Sequence, residues 1–315
     1  MVVSKNILYI VVPCYNEEAC LDETTKRLTE KMGNLIKLET IDKKSRIVYV
    51  DDGSKDKTWD KIASYKHPVI GLKLSRNRGH QNALLAGLMY AKEHADIIIS
   101  MDADLQDDIN AMDKFIAKYN DGYEIVYGVR SERKKDSAFK RNTALAFYKL
   151  MNALGAEVVY NSADYRLMSK RAVEELSNYK EVNLFLRGIV PLIGLKSTTV
   201  EYPRAERFAG ESKYPLKKML RFAWDGITSF SIKPIRMVLW LGVLFFAASL
   251  LVTIYALIVK LIGNAVSGWT FIICSIWLLG GIQMISLGLV GEYVGKIYAE
   301  SKGRPRYVIE KIVGE

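Results

Sequence analysis

Asp102, Asp104, Asp107 and Asp108 fall within seven consecutive positions, directly after the apolar run Ile97, Ile98, Ile99. A β-branched run of this kind reads as a buried strand, so its end delivers carboxylates to one edge of a sheet. Two like charges about 4 Å apart repel by roughly 4 kcal/mol at an effective dielectric of 20, so something must offset them. A solvated turn leading into an acidic helix start would do so. A divalent cation would also do so. Asp102, Asp104 and Gln106 alternate along the chain and aim at one point if it stays extended. Hard cations such as Mg2+ or Mn2+ take carboxylate and carbonyl oxygens and complete their shells with phosphates.

Other polar clusters follow other apolar runs. VPCYNEE places Tyr15, Asn16, Glu17 and Glu18 after a strand and at a helix start. The two glutamates suit the helix N-terminus, and they equally suit ribose hydroxyls as acceptors. DDGS puts Asp51 and Asp52 at a strand end, with Gly53 for a tight turn. It reads either as a turn with Ser54 capping a helix, or as a carboxylate that accepts from a base N–H. SRNRGHQ follows a third run, and its His80 reads as a structural residue that starts a helix.

The elements that carry these clusters alternate. Strands are expected at 7–12, 46–50, 69–74, 96–101 and 123–128, and helices at 17–33, 56–65, 79–93 and 109–120. Such alternation predicts an α/β fold with a mainly parallel, Rossmann-like sheet. Ligands bind such sheets outside the carboxyl ends of the strands, where all four clusters would meet.

Beyond Arg236 the physics changes. Residues 237–259 and 269–290 contain no charged side chain. At 1.5 Å per residue each spans roughly 33–35 Å, enough for a bilayer core. Lys217, Lys218, Arg221, Lys233 and Arg236 flank one end, and Lys296, Lys302, Arg304, Arg306 and Lys311 the other. The positive-inside rule then puts both ends in the cytosol and the connector outside. Residues 214–232 read as amphipathic helices lying on anionic lipid, or as helices docked on the soluble domain. Residues 205–213 contain Gly210 and read as a mobile loop or a static surface loop. Residues 303–314 read as a short strand or strand pair. The net charge of +10 among 315 residues suits nucleic acid, an anionic membrane surface or an anionic substrate. Cys14, Cys20 and Cys274 lack metal-ligand spacing and read as reduced thiols. The N-terminal apolar stretch is short, lacks a cleavage site and does not read as a signal peptide.

VPCYNEE, DDGSKD, SRNRGHQNALLAG, MDADLQD, SADYRLMSKRAVEEL and ERFAGESKYPLKKML occur in this order before the apolar pair. Together they resemble the family 2 glycosyltransferases, and among them the polyprenyl-phosphate glycosyltransferases of the bactoprenol glucosyltransferase and dolichol-phosphate mannose synthase kind. The resemblance spans nearly the whole chain. It implies a GT-A catalytic domain over 1–213, interfacial helices over 214–235, a transmembrane hairpin over 236–292 and a cytosolic tail over 293–315. It further implies a UDP-sugar donor with glucose as first choice, Mg2+ or Mn2+, and a polyprenyl (undecaprenyl) phosphate acceptor at the inner, cytoplasmic membrane. No nucleic-acid partner is implied, and two membrane helices per chain suit a homo-oligomer.

By position, Pro13, Tyr15, Glu17, Asp52 and Asp102 would bind the nucleotide sugar. Asp102, Asp104 and Gln106 would hold the metal, with Asp104 counted among the catalytic residues. Asp164 falls at the family's catalytic carboxylate, and Arg130, Arg141 and Arg166 would meet the acceptor phosphate. Arg133, Arg207 and Lys213 add to the cation surplus. Arg78 departs from the phenylalanine expected in SRNFGHQ, and no QxxRW motif of processive synthases is present. The implied chemistry is one inverting displacement. A phosphate monoester is mostly dianionic near neutrality, with a second pKa of about 6. Asp164 is therefore expected to position groups rather than to remove a proton. The alternatives are a GDP-mannose-dependent mannosyltransferase acting on polyprenyl phosphate and a catalytically silent membrane scaffold that binds a nucleotide sugar.

Overall fold

The computed structural model describes residues 5–131, 162–182, 184–203, 233–262 and 268–315. Arg133, Arg141, Arg207, Lys213 and the expected interfacial helices at 214–232 lie outside the described residues, as does the side chain of Cys274. The chain forms two compact units. Residues 304–315 belong with the first, N-terminal unit, and the long helices belong to the second.

The first unit is built on an eight-stranded sheet. Its strands are β1 (Leu8–Cys14), β2 (Arg46–Asp51), β3 (Val69–Leu74), β4 (Ile97–Ser100), β5 (Ile125–Arg130), β6 (Ser162–Ser169), β7 (Ser197–Tyr202) and β8 (Ile309–Val313). The order is β7-β5-β6-β4-β1-β2-β3-β8. β1 to β4 are parallel to their neighbours in this set. β1 and β4 are buried along their whole length, as strands covered on both faces must be.

Two strands break the parallel pattern. β8 closes the β3 edge in antiparallel register, so 303–314 holds one strand rather than a pair. β6 inserts antiparallel between β4 and β5. An antiparallel strand starts where its parallel neighbours end, so the first residues of β6 lie at the edge carrying the clusters. Asp164 and Arg166, two apart, project from the same face of β6.

The helices are α1 (Leu21–Lys37), α2 (Thr58–Ser64), α3 (His80–Ala91), α4 (Ala111–Asn120), α5 (Lys170–Leu176) and α6 (Leu186–Leu192). α1 starts later than expected because Asn16 adopts φ 55 and residues 17–20 close a turn through Cys20 N–H to the Glu17 carbonyl at 3.1 Å. Its buried residues Leu21, Thr24, Leu28, Met32 and Leu35 form one stripe at helical spacing. From that stripe the Thr24 hydroxyl donates to the Ala103 carbonyl at 2.8 Å, tying α1 to the loop after β4. α3 is buried along most of its length and packs closely on β1 and β2. A Cβ at Gly87 would collide with Val11 Cγ1 and stand 2.8 Å from Val50 Cγ2.

The second unit contains α7 (Lys233–Leu261) and α8 (Trp269–Ser301), longer than the uncharged stretches within them. Many of their apolar side chains, including Trp240, Leu251, Ile285 and Leu287, are exposed. Among the described residues, Leu278–Ser301 is long and apolar enough to cross a membrane.

The close fit at Gly87 makes a direct test of the α3–sheet packing. Gly87→Val should overpack the contact and destabilise the chain by about 1–3 kcal/mol, lowering its thermal midpoint. An unchanged midpoint would contradict this packing.

Candidate active site

The loop after β3 is placed by Asp52. Its carboxylate accepts the backbone N–H of Arg78 at 2.6 Å and of Gly79 at 2.8 Å. Asp52 is 2% exposed and braces this loop. Ser54 does not cap α2; its hydroxyl accepts the Asn16 N–H at 3.0 Å. Glu17 turns its backbone N–H to Thr58 Oγ1 at 2.9 Å and its carboxylate to the Cys20 thiol at 3.1 Å. Pro13 is buried within β1, while Tyr15 stands 41% exposed beside it.

With the loop fixed, α3 begins at His80 and Gln81, and both point at Asp164. His80 Nε2 lies 3.5 Å from Asp164 Oδ2 and 3.6 Å from Asp102 Oδ1, so one imidazole bridges the ends of β4 and β6. Gln81 Nε2 donates to Asp164 Oδ2 at 3.4 Å, and its Oε1 accepts the Leu186 N–H at 3.0 Å. Arg166 donates to Asp164 Oδ1 at 2.6 Å and to the Leu186 carbonyl at 3.4 Å. Arg187 adds Nε at 3.2 Å and a terminal N–H at 2.9 Å, one to each Asp164 oxygen.

This arrangement sets the charge states. Burial alone would raise the Asp164 pKa, but Arg187, the His80 hydrogen bond and Arg166 hold it well below the usual carboxylate range. Desolvation pulls the His80 pKa down, yet the Asp164 hydrogen bond and the Asp102 charge push it up to about 8. Asp102 is raised to about 6, first by desolvation and then by Asp107, Asp164 and Asp104, with His80 opposing.

The four aspartates after β4 divide by role. Asp107, with its side chain 1% exposed, accepts from Arg130 at 3.1 Å and from the Tyr202 hydroxyl at 2.6 Å. Asp108 shapes the start of α4 by accepting the Asn110 N–H at 2.9 Å. Asp104 Oδ1 accepts the Gln106 N–H at 3.2 Å, and Leu105 has φ 57. The segment therefore turns at 104–106, and the extended chain expected to aim Asp102, Asp104 and Gln106 at one point is absent.

Two of the arginines expected at an acceptor phosphate are paired within the chain. The side chain of Arg166 is 3% exposed and its guanidinium holds Asp164. Arg130 pairs with Asp107. Conversely, His80 has carboxylate partners that the sequence alone did not reveal, and Arg187 was not singled out at all. Their partner Asp164 lies 84 and 23 residues away, respectively, so no local spacing signals the contact.

The raised His80 pKa has a definite consequence. An unperturbed histidine titrates at about 6.5, so the stabilisation from protonated His80 is complete below that pH and fades as pH rises through about 8. The stability gap between wild type and His80→Gln should therefore shrink across this window when thermal midpoints are compared. A gap independent of pH would contradict the pairing.

Residues 9–177 match the model of Glycosyl transferase family 2, and residues 233–297 match the GtrB C-terminal hairpin. The chain is 56% identical over 310 residues to "Uncharacterized glycosyltransferase YkoT" of Bacillus subtilis (strain 168), covering 98% of this chain and 92% of that protein. It is 39% identical over 308 residues to "Prophage bactoprenol glucosyl transferase homolog" of Escherichia coli (strain K12), covering 96% of this chain and 98% of the relative. A third relative, "Bactoprenol glucosyl transferase" of Shigella phage SfII, is 39% identical over 307 residues, covering 96% of this chain and 97% of the relative. The mainly parallel sheet with its inserted antiparallel strand is the GT-A-like, Rossmann-type catalytic fold, and the chain belongs to the family 2 glycosyltransferases.

Proposed function

We propose that this glycosyltransferase moves a hexose, glucose by first choice, from a UDP-sugar to a polyprenyl phosphate at the cytosolic face of the inner membrane. One observation carries the reading. Relatives named bactoprenol glucosyl transferase are similar to this chain through both the catalytic domain and the hairpin, over 96% of its length. The exposed apolar side chains of α7 and α8 form a surface that lipid would cover, with the domain and both termini on the cytosolic side.

Asp102, Asp104 and Gln106 fit a hard divalent cation by donor chemistry. All three offer oxygen, and Asp102 is buried with Asp107, Asp164 and Asp104 adding negative charge around it while His80 opposes them. Among the described residues no group of three or more His, Cys, Asp or Glu side chains is gathered to hold a metal ion. The donor's diphosphate would thus complete the shell, as Mg2+ sites commonly require. Bound there, Mg2+ or Mn2+ would stabilise the charge developing on the departing diphosphate. Tyr15 and Glu17 border the nucleoside end, and Asp52 acts through the loop it braces.

Asp164 serves this reaction as a positioning group. A carboxylate gripped by two guanidiniums is a weak base, and a phosphate nucleophile needs none. Asp164→Asn should lower the rate yet keep any ascending limb that the wild-type pH–rate profile shows. Loss of that limb would establish Asp164 as a general base. The reading as a whole is tested by purified protein with a panel of nucleotide sugars, undecaprenyl phosphate and Mg2+ or Mn2+. UDP release should require both the lipid phosphate and the metal, and a chelator should abolish it reversibly. Turnover without lipid phosphate, or in full with chelator present, would contradict the proposal.

A further inference from the structure

We propose that Arg306 is a positioning residue for the reaction, bracing through Tyr179 the helix α6 that carries a partner of Asp164. The role rests on the sugar-transfer reading above, and it falls to a residue of the C-terminal segment, far from the cleft in sequence.

The helix to be braced is weak by itself. α6 has seven residues, fewer than a helix needs to hold together in water without tertiary support. Pro191 lies inside it and removes one of its few backbone donors. Its position therefore depends on ties at its two ends. At the first end the Leu186 peptide is held by Gln81 and Arg166. At the last end the Tyr179 hydroxyl donates to the Leu192 carbonyl at 3.1 Å. Tyr179 stands between α5 and α6, and its own carbonyl accepts a guanidinium N–H of Arg306 at 2.9 Å.

Arg306 is in turn a fixed point. It lies five positions after Ser301, the last residue of α8, yet it belongs to the first unit with β8. β8 pairs with β3 in a set register, and the Ser75 N–H extends that ladder to the Val308 carbonyl at 3.0 Å. Past the strand, the Tyr90 hydroxyl donates to Glu315 at 3.0 Å. Arg306 and Tyr307 are partly buried where the segment enters the sheet edge.

The two contacts of this segment converge on one target. Val308 meets Ser75, which opens the loop leading to His80 and Gln81 at the start of α3. Arg306 meets Tyr179, which is tied to the helix bearing Arg187. His80, Gln81 and Arg187 all contact Asp164. A segment two residues away from its own second contact thus steadies both loops that deliver partners to one carboxylate. Displacing such partners by a fraction of an ångström lowers the rate of a reaction that depends on alignment.

The experiment uses the full chain in lipid vesicles, with UDP-sugar, Mn2+ and undecaprenyl phosphate. Arg306→Ala should lower kcat roughly 5-fold, the loss expected when one hydrogen bond holds the working geometry. UDP affinity in the presence of Mn2+ should stay within about 2-fold by calorimetry, and Arg306→Lys should recover most of the rate, since an ammonium also donates to a carbonyl. Tyr179→Phe should match Arg306→Ala, and the double variant should be no slower than either alone, as for two links of one chain. Hydrogen exchange should quicken at 186–192 in Arg306→Ala and stay unchanged in β1 to β4. Losses that multiply in the double variant, or unchanged exchange at 186–192, would overturn the brace. Faster exchange throughout the sheet with a lowered thermal midpoint would make Arg306 a general stabiliser and overturn it too. Wild-type protein that transfers nothing to undecaprenyl phosphate would overturn the transfer reading instead, a result distinct from these because exchange still judges the brace.

Discussion

Asp164 cannot sit inside this protein as an anion unless cations come with it. An isolated carboxylate taken out of water carries a penalty of several kcal/mol, and pairing offsets it only when the geometry is good and the remaining lone pairs are filled. Here Arg166 and Arg187 supply the charge, and His80 and Gln81 fill the remaining positions. The partners come from α3, α6 and β6 itself, so the ion cluster also holds those elements together. α3 reaches it through its first two residues, α6 through its second, and β6 carries the carboxylate itself.

The rest of the edge is organised around this cluster. Asp52 fixes the loop that delivers His80, and Thr24 ties α1 to the loop after β4. Asp107 anchors that same loop to Arg130 and Tyr202 at its far side.

The parallel core was legible because its strands are long β-branched runs separated by amphipathic helices. Ile97 to Ile99 and the run from Leu8 to Val12 admit few other readings. β6 was hidden as a strand because its sequence, SADYRLMS, places Ser162, Asp164, Arg166 and Ser169 in a fully buried element. Polar residues buried this way follow from tertiary pairing, which no local pattern encodes. The same reason explains the site. The resemblance pointed to Asp164, but its contacts with Arg187 and His80 join distant segments. The turn at Leu105 was equally invisible, since leucine seldom adopts a positive φ.

The central claim is that Asp164 stays ionised and saturated, an anchor for cations rather than a proton acceptor. Infrared difference spectra between wild type and Asp164→Asn, with carbon-13-labelled aspartate, read its protonation directly. The account predicts no protonated-carboxyl signal from Asp164 at any pH down to about 5. A carboxyl that titrates near neutrality would contradict it.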